Sequence, residues 1–192
     1  MTTAAAGRSV PKIANILLVI ALIATAVTQV LYISTGVSGT PGAQVLWRSE
    51  AVAFLAIALL GFAWMRAAPL VAGAIVLGGV LNFRQIGIGL TLFGAFEGAE
   101  MRGVLGFAFA LYHAGKVAFS VAAIVLGGKA LGVSGWPKIA GILALLAGLA
   151  GLALNLFVVA GGSATFAAGA AGTAATVFLA LALGALAPTV RD

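Results

Sequence analysis

The feature that most constrains this chain is its set of long, unbroken apolar runs. IANILLVIALIATAV starts at residue 13 and IAGILALLAGLAGLALNLFVVAGG at residue 139. Both are near the ~20 residues an α-helix needs to cross a ~30 Å hydrocarbon core. Backbone groups in lipid must be satisfied within the protein, so only helices and closed barrels can span. A barrel would show ~10-residue segments of alternating polarity, and no such alternation is present. The expected fold is all-α, a polytopic membrane bundle of about six transmembrane helices forming one domain over residues 1–192. Composition agrees, because 63% of residues are hydrophobic and only 7% charged, against ~25% charged in soluble domains. So few charges cannot clothe a water-facing surface.

Spans are predicted at roughly 12–34, 47–65, 68–92, 104–128, 138–160 and 165–187. Helix breakers fall between them: Gly36, Gly39, Pro41 and Gly42, then Pro69, then Gly132, Gly135 and Pro137. Lys and Arg placement sets orientation. Arg8, Lys12, Arg66, Lys129, Lys138 and Arg191 fall on one side, and only Arg48 and Arg102 on the other, beside Glu50, Glu97 and Glu100. Six against two predicts that both termini are cytoplasmic. Arg8, Lys12 and the sequence Ala24-Thr25-Ala26 imitate a secretory signal, but a repeat of the same segment later in the chain favours a retained first helix.

That repeat pairs VPKIANIL at 10–17 with WPKIAGIL at 136–143, identical at six of eight positions with an offset of 126. LWRSEAVAF at 46–54 aligns with LYHAGKVAF at 111–119, an offset of 65. A weaker third match sets WMRAAP at 64–69 beside WPKIAG at 136–141. Three hairpins of equal orientation, at about 10–66, 67–130 and 136–190, would account for these matches.

The stretch LGGKALGVSGWPKIAGILALLAGLAGL joins an apolar helix end, a Gly/Ser turn, Trp-Pro-Lys and a Gly/Ala-rich helix. It resembles a widespread family of six-helix bacterial inner-membrane proteins of unknown function. The resemblance covers the middle and last third of the chain. It implies an architecture and a location in the bacterial inner membrane, and carries over no activity and no functional residues.

An ionisable side chain within a span is costly, about 2.5–3.5 kcal/mol on insertion scales, and normally faces the bundle interior. Counted from the cytoplasmic end, Gln29, Asn82 and Asn155 fall about 25 Å into the three odd-numbered spans at 1.5 Å per residue. Arg84, Gln85, Arg48, Glu50, His113, Lys116 and Thr176 lie near the same layer. The ligand-binding candidates are therefore Arg84, Lys116, His113, Glu50, Asn82, Gln29 and Asn155, with Arg84 and Lys116 expected to point inward. On the plain structural reading, the amides and hydroxyls join helices, while Glu50 and Glu97 neutralise Arg84 and Lys116. The functional reading is an outward-facing cavity with positive potential for an anionic or lipid-headgroup ligand.

His113 and Lys116 are three apart, hence on one helical face. An imidazole there could transfer protons or ligate haem, although no second axial ligand is evident and the cofactor is left unknown. The chain has no cysteine, no H-E-x-x-H, no G-x-S-x-G and no phosphate-binding glycine loop, so an enzyme is not expected. Nucleic acid is not expected either, because the formal charge of +6 is spread over helix ends rather than gathered in a stripe. Two functions remain: binding or transport of a small molecule or anion at the polar layer, and an accessory or scaffold role beside a partner membrane protein.

Overall fold

The computed structural model describes residues 10–35, 41–92, 95 and 97–186. Arg8, Gly36, Gly39 and Arg191 lie outside the described residues. Six helices follow in order: α1 (Lys12–Ser34), α2 (Pro41–Gly61), α3 (Pro69–Leu92), α4 (Gly98–Ala130), α5 (Trp136–Val159) and α6 (Phe166–Leu186). Each is long and apolar enough to cross a membrane, and no strand occurs among the described residues.

Two boundaries differ from the sequence-based expectation. Proline, read as a breaker at 41, opens α2 instead, because the first helical turn has no use for its missing N–H. The fourth helix starts at Gly98 and runs for 33 residues, about 50 Å at 1.5 Å per residue. Other ends follow their local chemistry. After α5, Gly161 adopts φ +98°, Gly162 N donates to Phe157 O (3.0 Å) and Gly161 N to Val158 O (3.0 Å). This pattern satisfies the last carbonyls and turns the chain towards α6. Before α5, Gly135 takes φ +73° and Pro137 occupies the first turn.

The helices alternate in direction. Neighbours in sequence pack together, and α1 closes the ring against α6. The fourth helix also packs on α6, which leaves α5 on the outside of that pair. Where α1 begins, termed the proximal end, Trp64 Nε1 donates to Asn15 Oδ1 (3.0 Å) and Asn15 Nδ2 donates to Leu183 O (3.2 Å). Those two bonds tie α1 to α6 and to the 3-10 turn after α2.

Close approach rests on small residues. The backbone of α2 at Phe54 and Ala58 meets Gly79 of α3, and Gly148 and Gly151 of α5 meet α4 around Ser120. The outward faces carry bulky groups such as Ile13, Ile20, Val52, Leu59 and Phe157. At mid-bundle, Phe54 and Phe119 stack with centroids 6.2 Å apart and planes 13° apart. These are the two phenylalanines that the 65-residue offset equates. The buried positions of α2, namely Ala43, Glu50, Ala53, Phe54, Ile57, Ala58 and Gly61, each have a buried counterpart in α4 at that offset, from Ala108 to Leu126.

Candidate functional site

One turn beyond the phenylalanine pair, towards the distal end where α1 ends and α2 begins, the core turns polar. Residues 112–116 of α4 organise this layer. Lys116 is completely buried, with its Cβ and Cγ pressed on Gly172 of α6. Its Nζ donates to Gln29 Oε1 on α1 (3.2 Å) and lies 5.2 Å from the centroid of the Tyr112 ring, a cation–π geometry. Gln29 passes the contact on, since its Nε2 donates to Glu50 Oε1 on α2 (2.8 Å). Thr173 Oγ1 of α6 donates to the same Gln29 oxygen (2.7 Å). An amide thus stands between a buried ammonium and a buried carboxylate, with one end matched to each.

His113 lies one turn away on α4, buried, with Nδ1 2.7 Å from Asn155 Oδ1 on α5. Asn155 Nδ2 donates to Gly151 O (2.8 Å) and to Ala168 O on α6 (2.9 Å). With both amide hydrogens spent, Oδ1 must accept, so Nδ1 carries the histidine hydrogen. The Tyr112 and His113 rings meet edge to face, 5.0 Å apart at 82°. No group of three potential metal ligands lies together among the described residues.

The third helix, α3, contributes Asn82, fully buried and packed so closely on Gly115 that a β-carbon there would collide with its amide. Its Nδ2 donates to Gly78 O (3.0 Å), while its Oδ1 is buried with no hydrogen-bond partner. Five helices, α1, α2, α3, α4 and α6, therefore each bring a polar residue to one level of the core, with Asn155 of α5 behind them.

Of the seven candidates, Gln29, Glu50, Asn82, His113, Lys116 and Asn155 are brought to this layer, and Arg84 is not. The expectation that Arg84 points into the bundle is overturned, because its side chain is exposed. The reason is angular: with Asn82 and Ile86 facing inward, a residue two positions past Asn82 sits about 200° around the helix. Glu97 is exposed as well, so the expected neutralisation of Arg84 and Lys116 by two carboxylates reduces to Glu50 beside Lys116. Thr173 was missed by sequence reasoning, although its place one turn before Thr176 was a usable sign. Thr176 itself donates to Gly172 O (2.9 Å) within its own helix.

Chemically, the layer offers a cation with spare donors, a carboxylate, an imidazole and an unmet amide acceptor, all sealed from the surface. An ammonium has three hydrogens, and Lys116 uses one of them on a protein acceptor. Two shallow apolar grooves mark the outer surface: one along α1 and α6 lies away from this layer, and one along α3 and α4 reaches Ala114 and Val117 on the outer face of α4, with the layer's polar side chains on the inner face. No protein family, curated protein or solved structure matches this chain.

Proposed function

We propose that this chain is a multi-pass protein of the bacterial inner membrane, with both termini cytoplasmic, whose distal polar layer binds a small anionic molecule for recognition or transport. The observation that carries the proposal is Lys116, a fully buried cation with one of its three donors engaged by a protein acceptor. Burial without full satisfaction is costly. A carboxylate or phosphate oxygen reaching Nζ would complete the ammonium's shell. Asn82 Oδ1 is a second unmet group at this level, and it favours a ligand that also carries a hydrogen-bond donor. Three repeated hairpins would explain why polar residues of successive odd-numbered helices share a depth, and repeat interfaces are where transporters place their sites. The matched burial of α2 and α4 and the Phe54–Phe119 stack support that reading.

Membrane placement is supported by the bulky apolar side chains exposed around the bundle, which water would not tolerate in such numbers. Reporter fusions at residue 192 and in the α1–α2 loop should read cytoplasmic and external respectively. An external C-terminus would overturn the orientation.

The binding proposal is tested by thermal unfolding of the purified protein in neutral detergent against inorganic phosphate and a panel of small carboxylates. At 100-fold over its dissociation constant a ligand stabilises by about 2.7 kcal/mol. At least one anion should raise the transition of the wild type and of Arg84→Ala, and none should raise that of the double variant Lys116→Met with Glu50→Gln. Equal stabilisation of that double variant, or none in the wild type, would overturn it.

A scaffold role is the second reading, and the groove along α3 and α4 favours it. Gly73, Ala74, Ala114 and Ala118 there would let a partner helix approach closely. Co-purification of a stoichiometric companion in mild detergent would support that role.

A further inference from the structure

The groove along α1 and α6 is away from the polar layer and has its own chemistry. It encloses about 490 Å³, with α6 residues Leu181, Gly184 and Ala185 as floor, Val19 of α1 as one wall, and Trp136 and Pro137 of α5 as the other. Its lining is almost wholly apolar and it opens sideways on the bundle. A β-carbon at Gly184 would find Val19 Cγ2 at 3.9 Å, ordinary contact distance, so the floor is low at this point because the glycine has no side chain.

Among the described residues, charge at the mouth of this groove is one-sided. Lys12 lies seven residues before Val19, two turns along the same helical face and about 10 Å towards the proximal end. Lys138 follows Pro137 directly in the first turn of α5. Both lysines are exposed, as are Arg66 and Lys129 at the same end. The described carboxylates, Glu50, Glu97 and Glu100, all belong to the distal half, so none is near to balance these cations. Trp136 is also exposed and provides an amphipathic ring at the depth where a spanning bundle meets headgroups.

An apolar slot with a tryptophan in its wall and two exposed lysines towards its proximal end fits a molecule with hydrocarbon in the slot and a negative group at that end. We infer that the α1–α6 groove is a seat for an anionic glycerophospholipid of the cytoplasmic leaflet, its acyl chain lying on Gly184 and its phosphate held between Lys12 and Lys138. Basic pockets between helices at that face are suited to acidic headgroups, and lysines near the surface add to the attraction. The inference rests on the membrane placement proposed above but not on the polar-layer ligand. Carbonate-resistant membrane association of the wild type tests that placement separately.

The test is native mass spectrometry of the full chain from neutral detergent, titrated with phosphatidylglycerol and phosphatidylcholine of identical acyl chains, and with glycerol 3-phosphate as a chainless probe. Phosphatidylglycerol should bind at least fivefold more tightly than phosphatidylcholine, and glycerol 3-phosphate should not bind measurably. In Lys12→Gln with Lys138→Gln the two lipids should become equal. In Gly184→Leu, where a side chain fills the groove, the tight binding of both lipids should be lost while the unfolding temperature is kept. Equal binding of the two lipids to the wild type, or an unchanged preference in the lysine variant, would overturn the proposal. So would retention of the preference in Gly184→Leu, or a dimer mass that excludes lipid, which would assign the groove to a second copy.

Discussion

Lys116→Met is expected to destabilise the folded protein by about 3–5 kcal/mol, because it leaves Glu50 buried without its compensating charge. The methionine matches the length of the lysine stem and keeps the contact with Gly172, so lost packing contributes little. Glu50→Gln should be similarly costly for the mirror reason, since it strands the ammonium. The double change Lys116→Met with Glu50→Gln removes both charges and leaves amides that can still bond each other through Gln29. Its expected loss is under about 1.5 kcal/mol, since replacing a buried ion pair by neutral groups is often close to neutral. The coupling is therefore expected to be several kcal/mol, far above the additivity seen between distant sites. Thermal unfolding of the four proteins in one detergent gives it. Additive losses would show that Lys116 and Glu50 do not share charge compensation through Gln29.

That cycle turns on a feature only partly legible in the sequence. The long apolar runs dictated six helices because backbone satisfaction in lipid leaves little choice, and the depth count brought Gln29, Asn82 and Asn155 to one level. Depth along a helix is read from residue number at a fixed rise, but facing direction depends on which stripe the neighbours cover. A span that is apolar all round hides its inward stripe. Arg84 shows the consequence, since its depth was right and its direction wrong. Where small residues mark a face, direction can be recovered. Gly78 and Asn82 are four apart and both buried, and Gly148, Gly151 and Asn155, spaced by three and then four, are buried as well. The Gln29 bridge was not readable at all, because it depends on how α1 and α2 set their depths against α4. Asn15 was also passed over, although it sits inside the matched VPKIANIL segment.

The second large effect concerns the aromatic floor beneath the polar layer. Phe119 is wholly buried, stacked on Phe54, and its ring lies over Gly78, where a β-carbon would come within 2.6–2.9 Å of three ring atoms. Phe119→Ala should cost about 3 kcal/mol, the low end for an aromatic truncation in a core. The low end follows from the membrane placement proposed above, since lipid, unlike water, does not penalise the exposed ring in the unfolded reference. Gly78→Ala should also destabilise, by about 1–3 kcal/mol, because the ring is pinned by Phe54 and cannot swing away from the added methyl. Together the two changes reverse the sign of the second. With the ring gone the methyl enters vacated space, and alanine is favoured over glycine in a helix by about 1 kcal/mol. Gly78→Ala should therefore stabilise the Phe119→Ala protein while destabilising the wild type, a reversal visible as opposite shifts in unfolding temperature. A methyl at 78 that lowers the transition in both backgrounds would show that Gly78 is needed for the approach of the α3 and α4 backbones rather than for the Phe119 ring. The floor of the polar layer would then be set by helix spacing, and Asn82, one turn above on the same face, would owe its unmet oxygen to that spacing too.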